Sequence, residues 1–421
     1  YEMQRSLVGS EMCIRDSTCS VTNIADKKSR QMLHRARKMN PDGIVIAAGC
    51  YVQSAREILE QDEAIDIVIS NNKKKSITEI VNDYINVRNN GKNAPGKDHE
   101  AMEYFVDISR ETEYEEMGGH VPVGHTRAYV KIQDGCNQFC SYCIIPYVRG
   151  RIRSRSQEAI LAEVSELAEA GIKEVVLTGI HISSYGKDKN NEGALIELIE
   201  AISKIKGIKR IRLGSLEPGI ITEEFVERIS SNSKVCPHFH LSLQSGCDSV
   251  LKRMNRKYTC KQYFEKCDML RKAYKSPALT TDVIVGFPGE TEEEFAETVR
   301  YLTELNLYEM HIFKYSPRKG TVAAAMKEQV APEIKNERSD VLLKLAHDNK
   351  TAYEAQFEGC ELEVLVEEVV KKNNKTYLRG HTERYMDILI DVGDISMPES
   401  FVNSFVYVTY TQNGGNLPLL L

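Results

Sequence analysis

The sequence predicts an α/β protein centred on a partial TIM-like (β/α)6 barrel, preceded by a smaller α/β domain and followed by a small β-barrel. Three observations carry this prediction. From Arg127 onward, strand-like and helix-like segments alternate six times, the pattern of repeated βα units. Upstream, a shorter βαβα pattern runs from Asp42 to about Val87. Beyond a long helix ending near Phe357 the alternation stops and short stretches rich in β-formers replace it.

In the first domain, Asp42-Gly43 turns the chain into the apolar run Ile44–Ala48, which ends at Gly49-Cys50. A helix with Ala55, Ile58 and Leu59 on one side follows, then a second apolar run, Ile65 to Ile69, and a helix from Ile77 to about Val87. Residues 89–97 are polar and rich in Gly and Pro, which marks a linker, and an acidic stretch from Asp98 to Glu116 continues it. The six barrel strands are expected at Ala128–Gln133, Glu174–Leu177, Arg210–Leu213, His238–Leu243, Thr280–Val285 and Met310–Tyr315. Amphipathic helices separate them. One carries Ile160, Leu161, Val164, Leu167 and Ala168 at helical spacing, and another opens with Thr291 three residues before Glu294, a capping box. In the last domain Glu363–Glu367, Tyr385–Ile390 and Phe401–Tyr410 read as strands, whereas Gly414 to Leu421 make no recognisable element. The resulting boundaries are 18–97, 98–123 as a connector, 124–356 and 357–421, with 1–17 read as a non-native segment.

Composition narrows the class. The chain has 421 residues, 42% hydrophobic and 28% charged, which is ordinary for a soluble globular protein of two or three domains. It holds no apolar run near the roughly twenty residues that span a bilayer and no secretory signal pattern. Eleven cysteines without such a signal point to the reducing cytosol and to metal ligands rather than disulfides. A net charge of −6 does not advertise nucleic-acid binding, but two local segments are basic. Between Thr18 and Asn40 lie Lys27, Lys28, Arg30, Arg35, Arg37 and Lys38 against the single acid Asp26. Arg149, Arg151, Arg153 and Arg155 alternate along a second segment, where they are candidates for contact with nucleic-acid phosphates, the alternative being a solvated surface.

The most chemically informative stretch is Gly135-Cys136-Asn137-Gln138-Phe139-Cys140-Ser141-Tyr142-Cys143. Three thiols spaced Cys-x3-Cys-x2-Cys can hold three irons of a cubane cluster and leave the fourth iron open to a ligand. A zinc site completed by His125 or His120 is the alternative, and zinc favours pairs of Cys-x2-Cys instead. The other unusual residues fall on loops that follow barrel strands, where the chemistry of such barrels sits. These loops are Thr178-Gly179-Ile180-His181, Gly214-Ser215-Leu216-Glu217-Pro218, Gln244-Ser245-Gly246 and Gly286-Phe287-Pro288-Gly289-Glu290-Thr291. Glycine there admits close approach of a ligand or makes a tight turn, and Glu217 or Gln244 can hydrogen-bond ribose hydroxyls. Cys236, Cys247, Cys260, Cys267 and Cys360 lack ligand spacing and read as core or surface thiols. His181 and His240 lie at strand ends and could equally be packed, hydrogen-bonded histidines.

The cysteine spacing, with an aromatic residue before the third thiol, resembles the signature of radical S-adenosylmethionine (SAM) enzymes. Within them the chain resembles the methylthiotransferases from about Thr18 onward. The resemblance is carried by Thr18-Cys19-Ser20-Val21-Thr22 with Asp26-Lys27-Lys28-Ser29-Arg30, and by Gly49-Cys50-Tyr51-Val52-Gln53. The block from Lys131 through Arg155 is the most specific part. It continues through Leu241-Ser242-Leu243-Gln244-Ser245-Gly246, Arg256-Lys257-Tyr258-Thr259 and Asp282 to Thr291. The last domain is similar to the TRAM domain, an OB-like RNA-binding barrel, although it carries ten acidic residues against five basic from Phe357 to Leu421. Asp26 to Gln31 and Leu177 to His181 look most like the branch acting on N6-threonylcarbamoyladenosine beside the tRNA anticodon. The isopentenyladenosine and ribosomal-protein branches are the other readings within the family. A reading from another class is an iron–sulfur nucleic-acid-binding or redox-sensing protein without catalysis.

The resemblance implies a cytoplasmic tRNA-modifying enzyme with two 4Fe-4S clusters and SAM. Cys136, Cys140 and Cys143 would hold the SAM cluster, and its reduction would generate the 5′-deoxyadenosyl radical that abstracts hydrogen from C2 of the adenine. Tyr142, Gly179, His181, Glu217, Gln244, Gly246, Asp282 and Gly286 would contact SAM. Cys19 and Cys50 would serve the auxiliary cluster that provides sulfur, with a second SAM providing the methyl. The implied partners are tRNA, a sulfur donor and a one-electron reductant such as flavodoxin or ferredoxin, with no membrane. A third auxiliary cysteine is expected on a turn after an initial strand, yet only eighteen residues precede Cys19 and Cys13 lies too near it. Residues 6–17 resemble translated adapter or cloning sequence, so the expectation is that the native N-terminus is lost and the auxiliary cluster doubtful.

Overall fold

The computed structural model describes residues 23–89, 104–118, 125–373, 375–393, 397–411 and 414–416. Cys13, Cys19, His120 and all of the Gly/Pro-rich linker after Asn89 lie outside them. The chain divides into two compact units, one formed by residues 1–118, 135–153 and 316–325, the other by 119–134, 154–315 and 326–421.

In the first unit α1 (Asn23–Met39) precedes β1 (Ile46–Ala48), α2 (Cys50–Glu60), β2 (Ile67–Ile69) and α3 (Ile77–Asn89). The strands β1 and β2 pair in parallel, as the βαβα pattern predicts. Leu33 of α1, Val45, Ala47, Val52, Leu59 and Ile65 pack as one apolar cluster, with Ile67, Ile69, Ile80 and Tyr84 in a second. The helix α1 was not anticipated, because its six cations obscure the apolar face through Leu33. Two of those cations, and His34 beside them, face carboxylates. Arg30 and His34 reach Asp62 at 3.3 and 2.9 Å, and Arg37 pairs with Asp66. A cleft of about 680 Å³ runs between these side chains and Ile58, and its charges are already matched by carboxylates.

The second unit begins with β3 (Arg127–Asp134). The chain then leaves through the cysteine loop, which holds the short helix α4 (Ile145–Val148), and returns through β4 (Arg153–Ser154). There follow α5 (Gln157–Glu169), β5 (Glu174–Gly179), α6 (Ala194–Ser203), β6 (Arg210–Leu213), α7 (Glu223–Ser230), β7 (His238–His240), α8 (Asp248–Arg253), α9 (Cys260–Ala273), β8 (Ala278–Val285), α10 (Glu292–Leu305), β9 (Glu309–Lys314) and α11 (Pro332–Ala355). Ser156 caps α5, Thr259 caps α9, and Thr291 with Glu294 forms the expected capping box on α10.

The six strands β3, β5, β6, β7, β8 and β9 run parallel in that order, joined between β6 and β7 by single bridges such as Ile211 to Val235. They form the curled half-barrel expected of six βα units. One face of each strand is apolar and packs on the helices. Ile132, Val175, Leu177, Ile211, Phe239, Leu241, Val283 and Met310 belong to this core. The strand β7 is shorter than the apolar run to Leu243 suggests, because Gln244 adopts a left-handed backbone (φ 74°) and the pairing narrows to isolated bridges.

The C-terminal domain is a closed barrel of β10 (Glu361–Lys372), β11 (Lys375–Thr382), β12 (Asp387–Asp391), β13 (Phe405–Thr411) and β14 (Gly414–Asn416), in the order β10-β11-β12-β14-β13. A five-stranded barrel is the OB-like form the sequence predicts. Two strands were missed. Residues 414–416 pair with Thr409–Thr411 and with Ile390–Asp391, so Gly414 onward does contain an element. Glycine and asparagine have poor β-propensity, and there barrel closure, not local preference, imposes the strand.

On the other face of the half-barrel, Glu174 is 1% exposed and receives Arg212 Nε at 2.8 Å, with Arg210 at 3.8 Å. Both arginines also donate to the C-terminal barrel. Arg210 reaches the carbonyls of His381 and Glu363, and Arg212 those of Glu383 and Thr382. Burial pushes the Glu174 carboxyl up, but the two guanidiniums outweigh it and hold the group below the usual carboxylate range. Its charged form therefore stabilises the fold above the unfolded-state pKa, and that contribution is lost as pH falls through the lower folded value. Removing the carboxylate takes away the partner of buried Arg212, whereas Arg210 keeps Glu363 at 2.9 Å. Glu174→Ala is expected to cost about 3–5 kcal/mol in urea-induced unfolding at neutral pH, and a change below about 1 kcal/mol would contradict this reading.

Candidate active site

The cysteine triplet begins two residues after the end of β3. Gly135 makes the turn with φ +73°, and a Cβ there would lie 1.7 Å from the Arg151 carbonyl oxygen, so only glycine fits. Gly150 is the facing hinge. It also has a left-handed backbone, and a Cβ on it would meet the Ile108 carbonyl oxygen at 2.1 Å. Between them the Cys136 N–H donates to the Gly150 carbonyl at 3.0 Å, and the Ile152 N–H to Asn137 Oδ1 at 3.3 Å. The loop is thus closed on itself by its own backbone.

Cys136 and Cys140 are buried and Cys143 is half-buried. The Gln138 N–H points at Cys136 Sγ at 3.4 Å, and the Cys143 N–H bonds the Cys140 carbonyl at 2.9 Å. Backbone N–H groups aimed at sulfur are what iron-bound thiolates accept. Tyr142, expected beside SAM, is half-buried on the same loop. The segment 316–325 supports the loop, with the Ala323 N–H donating to the Ser141 carbonyl at 2.8 Å and Arg318 pairing with Asp26 at 2.7 Å.

Cys50, at the start of α2, lies in the same unit. It packs with Ile144, Ile145 and Val148 of the cysteine loop, and its Sγ accepts Arg149 Nε at 3.0 Å. Asn71 Nδ2 approaches the same sulfur at 4.0 Å while bonding the Val148 carbonyl at 2.8 Å. A sulfur that receives a guanidinium N–H and lies near an amide has the kind of outer contacts a cluster-ligating cysteine takes. Cys19, its expected companion, lies outside the described residues.

The arginine segment corrects an expectation. Arg153 is 1% exposed, with Nη1 on the Arg151 carbonyl at 3.1 Å, and Arg155 is 6% exposed and paired with Glu163. Neither can reach a phosphate. Arg149 is turned onto Cys50. Only Arg151 is exposed, lying over the Phe139 ring at 4.6 Å next to the exposed Tyr147. Alternating cations read as one surface stripe, but here the turn at Gly150 and the return into the sheet send successive side chains inward.

In the second unit the loops after the parallel strands share one rim. The His181 N–H donates to Gln133 Oε1 at 2.8 Å, and its ring contacts Ser184 Oγ at 2.6 Å and Glu217 Oε2 at 3.4 Å. Arg256 Nη2 in turn donates to both Glu217 oxygens at 2.8 and 2.9 Å, and its Nε to Tyr258 OH. Arg256 and Tyr258 thus complete the rim. The basic-aromatic Arg256-Lys257-Tyr258 block was the sequence signal for them, but not for their partner. Gln244 is 8% exposed and its backbone bonds β8 through Asp282 and Ile284. At Gly179, Gly246 and Gly286 the missing side chain makes room for the protein's own atoms. A Cβ would meet Gln133, Tyr301 and Lys335 at 3.0, 2.8 and 2.3 Å respectively. Asp282 sits lower, on the open face of β8. The five remaining cysteines are as expected, four buried and Cys360 exposed.

The turn at Gly135 yields a direct test. In a chain carrying Cys19→Ala and Cys50→Ala, so that the triplet alone contributes, Gly135→Ala is expected to lower iron and sulfide bound after anaerobic reconstitution by about twofold or more, with circular dichroism unchanged, because the strained position costs about 1–3 kcal/mol. Unaltered iron content would show that the turn does not shape the site.

Comparisons with known proteins agree with this geometry. The radical SAM superfamily profile matches residues 130–302, and that of the uncharacterized protein family UPF0004 matches residues 1–70. Threonylcarbamoyladenosine tRNA methylthiotransferase MtaB of Bacillus subtilis is 39% identical over 374 residues, 89% of this chain and 80% of that protein. The protein of the same name from Aquifex aeolicus is 37% identical, covering 88% of each. A tRNA-2-methylthio-N(6)-dimethylallyladenosine synthase of Thermoanaerobacter pseudethanolicus is 35% identical over 94% of this chain and 82% of that one. Among solved structures, the radical SAM methyltransferase TsrM of Kitasatospora setae, with cobalamin and a 4Fe-4S cluster bound, is similar in fold. It has a TM-score of 0.54 at 16% identity over 72% of this chain and 64% of that one. Extended similarity of this order, on a chain that builds the three-thiol loop, establishes that the protein belongs to the radical SAM methylthiotransferase family.

Proposed function

We propose that the protein adds a methylthio group to C2 of N6-threonylcarbamoyladenosine beside the anticodon of tRNA. The observation that carries this reading is the 39% identity, across 89% of the chain, to a threonylcarbamoyladenosine tRNA methylthiotransferase. The 4Fe-4S cluster and SAM, when bound, supply the one-electron chemistry that activates the C2–H bond. This chain's residues do the rest. Cys136, Cys140 and Cys143 would hold the cluster, with the Gln138 N–H donating to the Cys136 sulfur. His181, Glu217 and Arg256 offer hydrogen-bonding groups to the cofactor's ribose and amino-acid portions. Arg151 and Tyr147, a cation and an exposed ring, suit contact with phosphate and base. Phe313, 49% exposed on the open face of β9, suits stacking of the target adenine.

The open face of the half-barrel also supports the choice of substituent. It presents Thr178, His240, Asp282 and His311, polar side chains that can hydrogen-bond the hydroxyl and amide groups of a threonylcarbamoyl group. An isopentenyl group would leave these polar atoms unsatisfied. That second reading rests on the 35% identity to the dimethylallyladenosine synthase. Work in the cytoplasm on tRNA, with a flavodoxin- or ferredoxin-type reductant and a separate sulfur donor, completes the proposal. Among the described residues no helix is long and apolar enough to cross a membrane.

Nucleoside mass spectrometry tests it. The anaerobically reconstituted protein, supplied with SAM, reductant and sulfide, is expected to convert N6-threonylcarbamoyladenosine in tRNA to its 2-methylthio derivative and to leave isopentenyladenosine tRNA unchanged. Conversion of the isopentenyl substrate alone would reverse the assignment.

A further inference from the structure

The polar side chains on the open face of the half-barrel are not scattered. His240 of β7 is in register with Thr280 of β8, and Asp282 of β8 with His311 of β9. Successive residues of a strand alternate faces, so His240, Thr280, Asp282 and His311 share the face opposite the apolar core formed by Phe239, Leu279, Val283 and Met310. One nitrogen of each imidazole and one oxygen of Asp282 lie within 4.8 Å of one another. The rings of His240 and His311 face each other at 5.8 Å with only 22° between their planes.

We propose that His240, Asp282 and His311 form a site for a divalent transition-metal ion, distinct from both iron–sulfur centres. Two features favour an ion over a simple hydrogen-bonded cluster. First, His240 Nε2 and Asp282 Oδ2 are 3.4 Å apart. That is long for a charge-assisted hydrogen bond, but close to the separation of about 3.3 Å between two ligands each about 2.05 Å from a tetrahedral zinc ion. Second, His240 is oriented from behind. Its Nδ1 contacts Thr280 Oγ1 at 3.0 Å, and Thr280 is 2% exposed, so Nε2 is the nitrogen presented to the open face. A buried hydrogen-bond partner on the far nitrogen is how metal-binding histidines are aimed.

Charge decides between a cation and an anion. With neutral imidazoles the trio offers two nitrogen lone pairs and one carboxylate, carrying net negative charge, which attracts a metal and repels a carboxylate ligand. Two imidazoles and a carboxylate suit zinc, nickel, cobalt or iron(II) rather than magnesium or calcium. Three protein ligands leave coordination positions open toward the face where, on the proposed function, the substrate's hydroxyl or carboxylate would lie. Asp282 then serves the metal and not SAM.

The test needs no turnover and so stands apart from the proposed activity. The full chain, with its clusters reconstituted so that cysteines are occupied, is titrated anaerobically with zinc by calorimetry and with cobalt by visible absorption. Wild type is expected to bind one more zinc ion per chain than His311→Ala, and cobalt at this site should show ligand-field bands without sulfur charge transfer. Thr280→Val is expected to weaken that binding about 10–100-fold, while iron content and circular dichroism stay constant. Equal zinc stoichiometry in wild type and His311→Ala would overturn the proposal.

Discussion

The reactive part of this protein depends on one backbone constraint: the left-handed turn at Gly135, pressed against the carbonyl of Arg151. The turn lets the chain leave β3 and fold back at Gly150 within a loop short enough to gather three thiols. Once the loop is closed, the Cys136 N–H is consumed by Gly150, the Gln138 N–H faces the Cys136 sulfur, and α4 is brought against Cys50 of the N-terminal unit. The loop's arginines follow from the same closure. Arg149 is drawn onto Cys50 and Arg153 onto the carbonyl of Arg151. Residues that look like an RNA-binding stripe mostly serve to hold the cysteine loop in shape.

The half-barrel divides its open face into two zones with opposite demands. Near the strand starts, Glu174, Arg210 and Arg212 fill the interior, and carbonyls of the C-terminal barrel satisfy the guanidinium protons. Such a network tolerates burial only because nearly every donor finds an acceptor. Nearer the strand ends the face stays polar and accessible, with His240, Asp282, His311 and Phe313, and the rim above is braced by Glu217 between His181 and Arg256. Rigidity below and accessibility above suit a site that must position one carbon of a large substrate.

How much was legible varied with how local the cause was. Strand positions were readable because each βα unit repeats an apolar run and an amphipathic helix, and the cap at Thr291 follows from its immediate neighbours. The cysteine triplet was readable because ligand spacing is itself local. Pairings between distant residues were not. Nothing near Glu217 announces Arg256, thirty-nine residues on, and nothing near Cys50 announces Arg149. The strand at Gly414–Asn416 was invisible because its residues disfavour strands until barrel closure recruits them. Linear order also hid that residues 135–153 and 316–325 group with the N-terminal unit.

On this geometry the cysteine loop would supply three thiolates and leave one iron for SAM. Electron paramagnetic resonance of the reduced cluster, in a reconstituted chain carrying Cys19→Ala and Cys50→Ala, tests it most directly. Adding SAM is expected to change the spectrum of the cluster, and Cys140→Ala to abolish the signal. A spectrum indifferent to SAM, with the cluster intact, would mean that the fourth iron is already ligated by the protein and that the reading of this site is wrong.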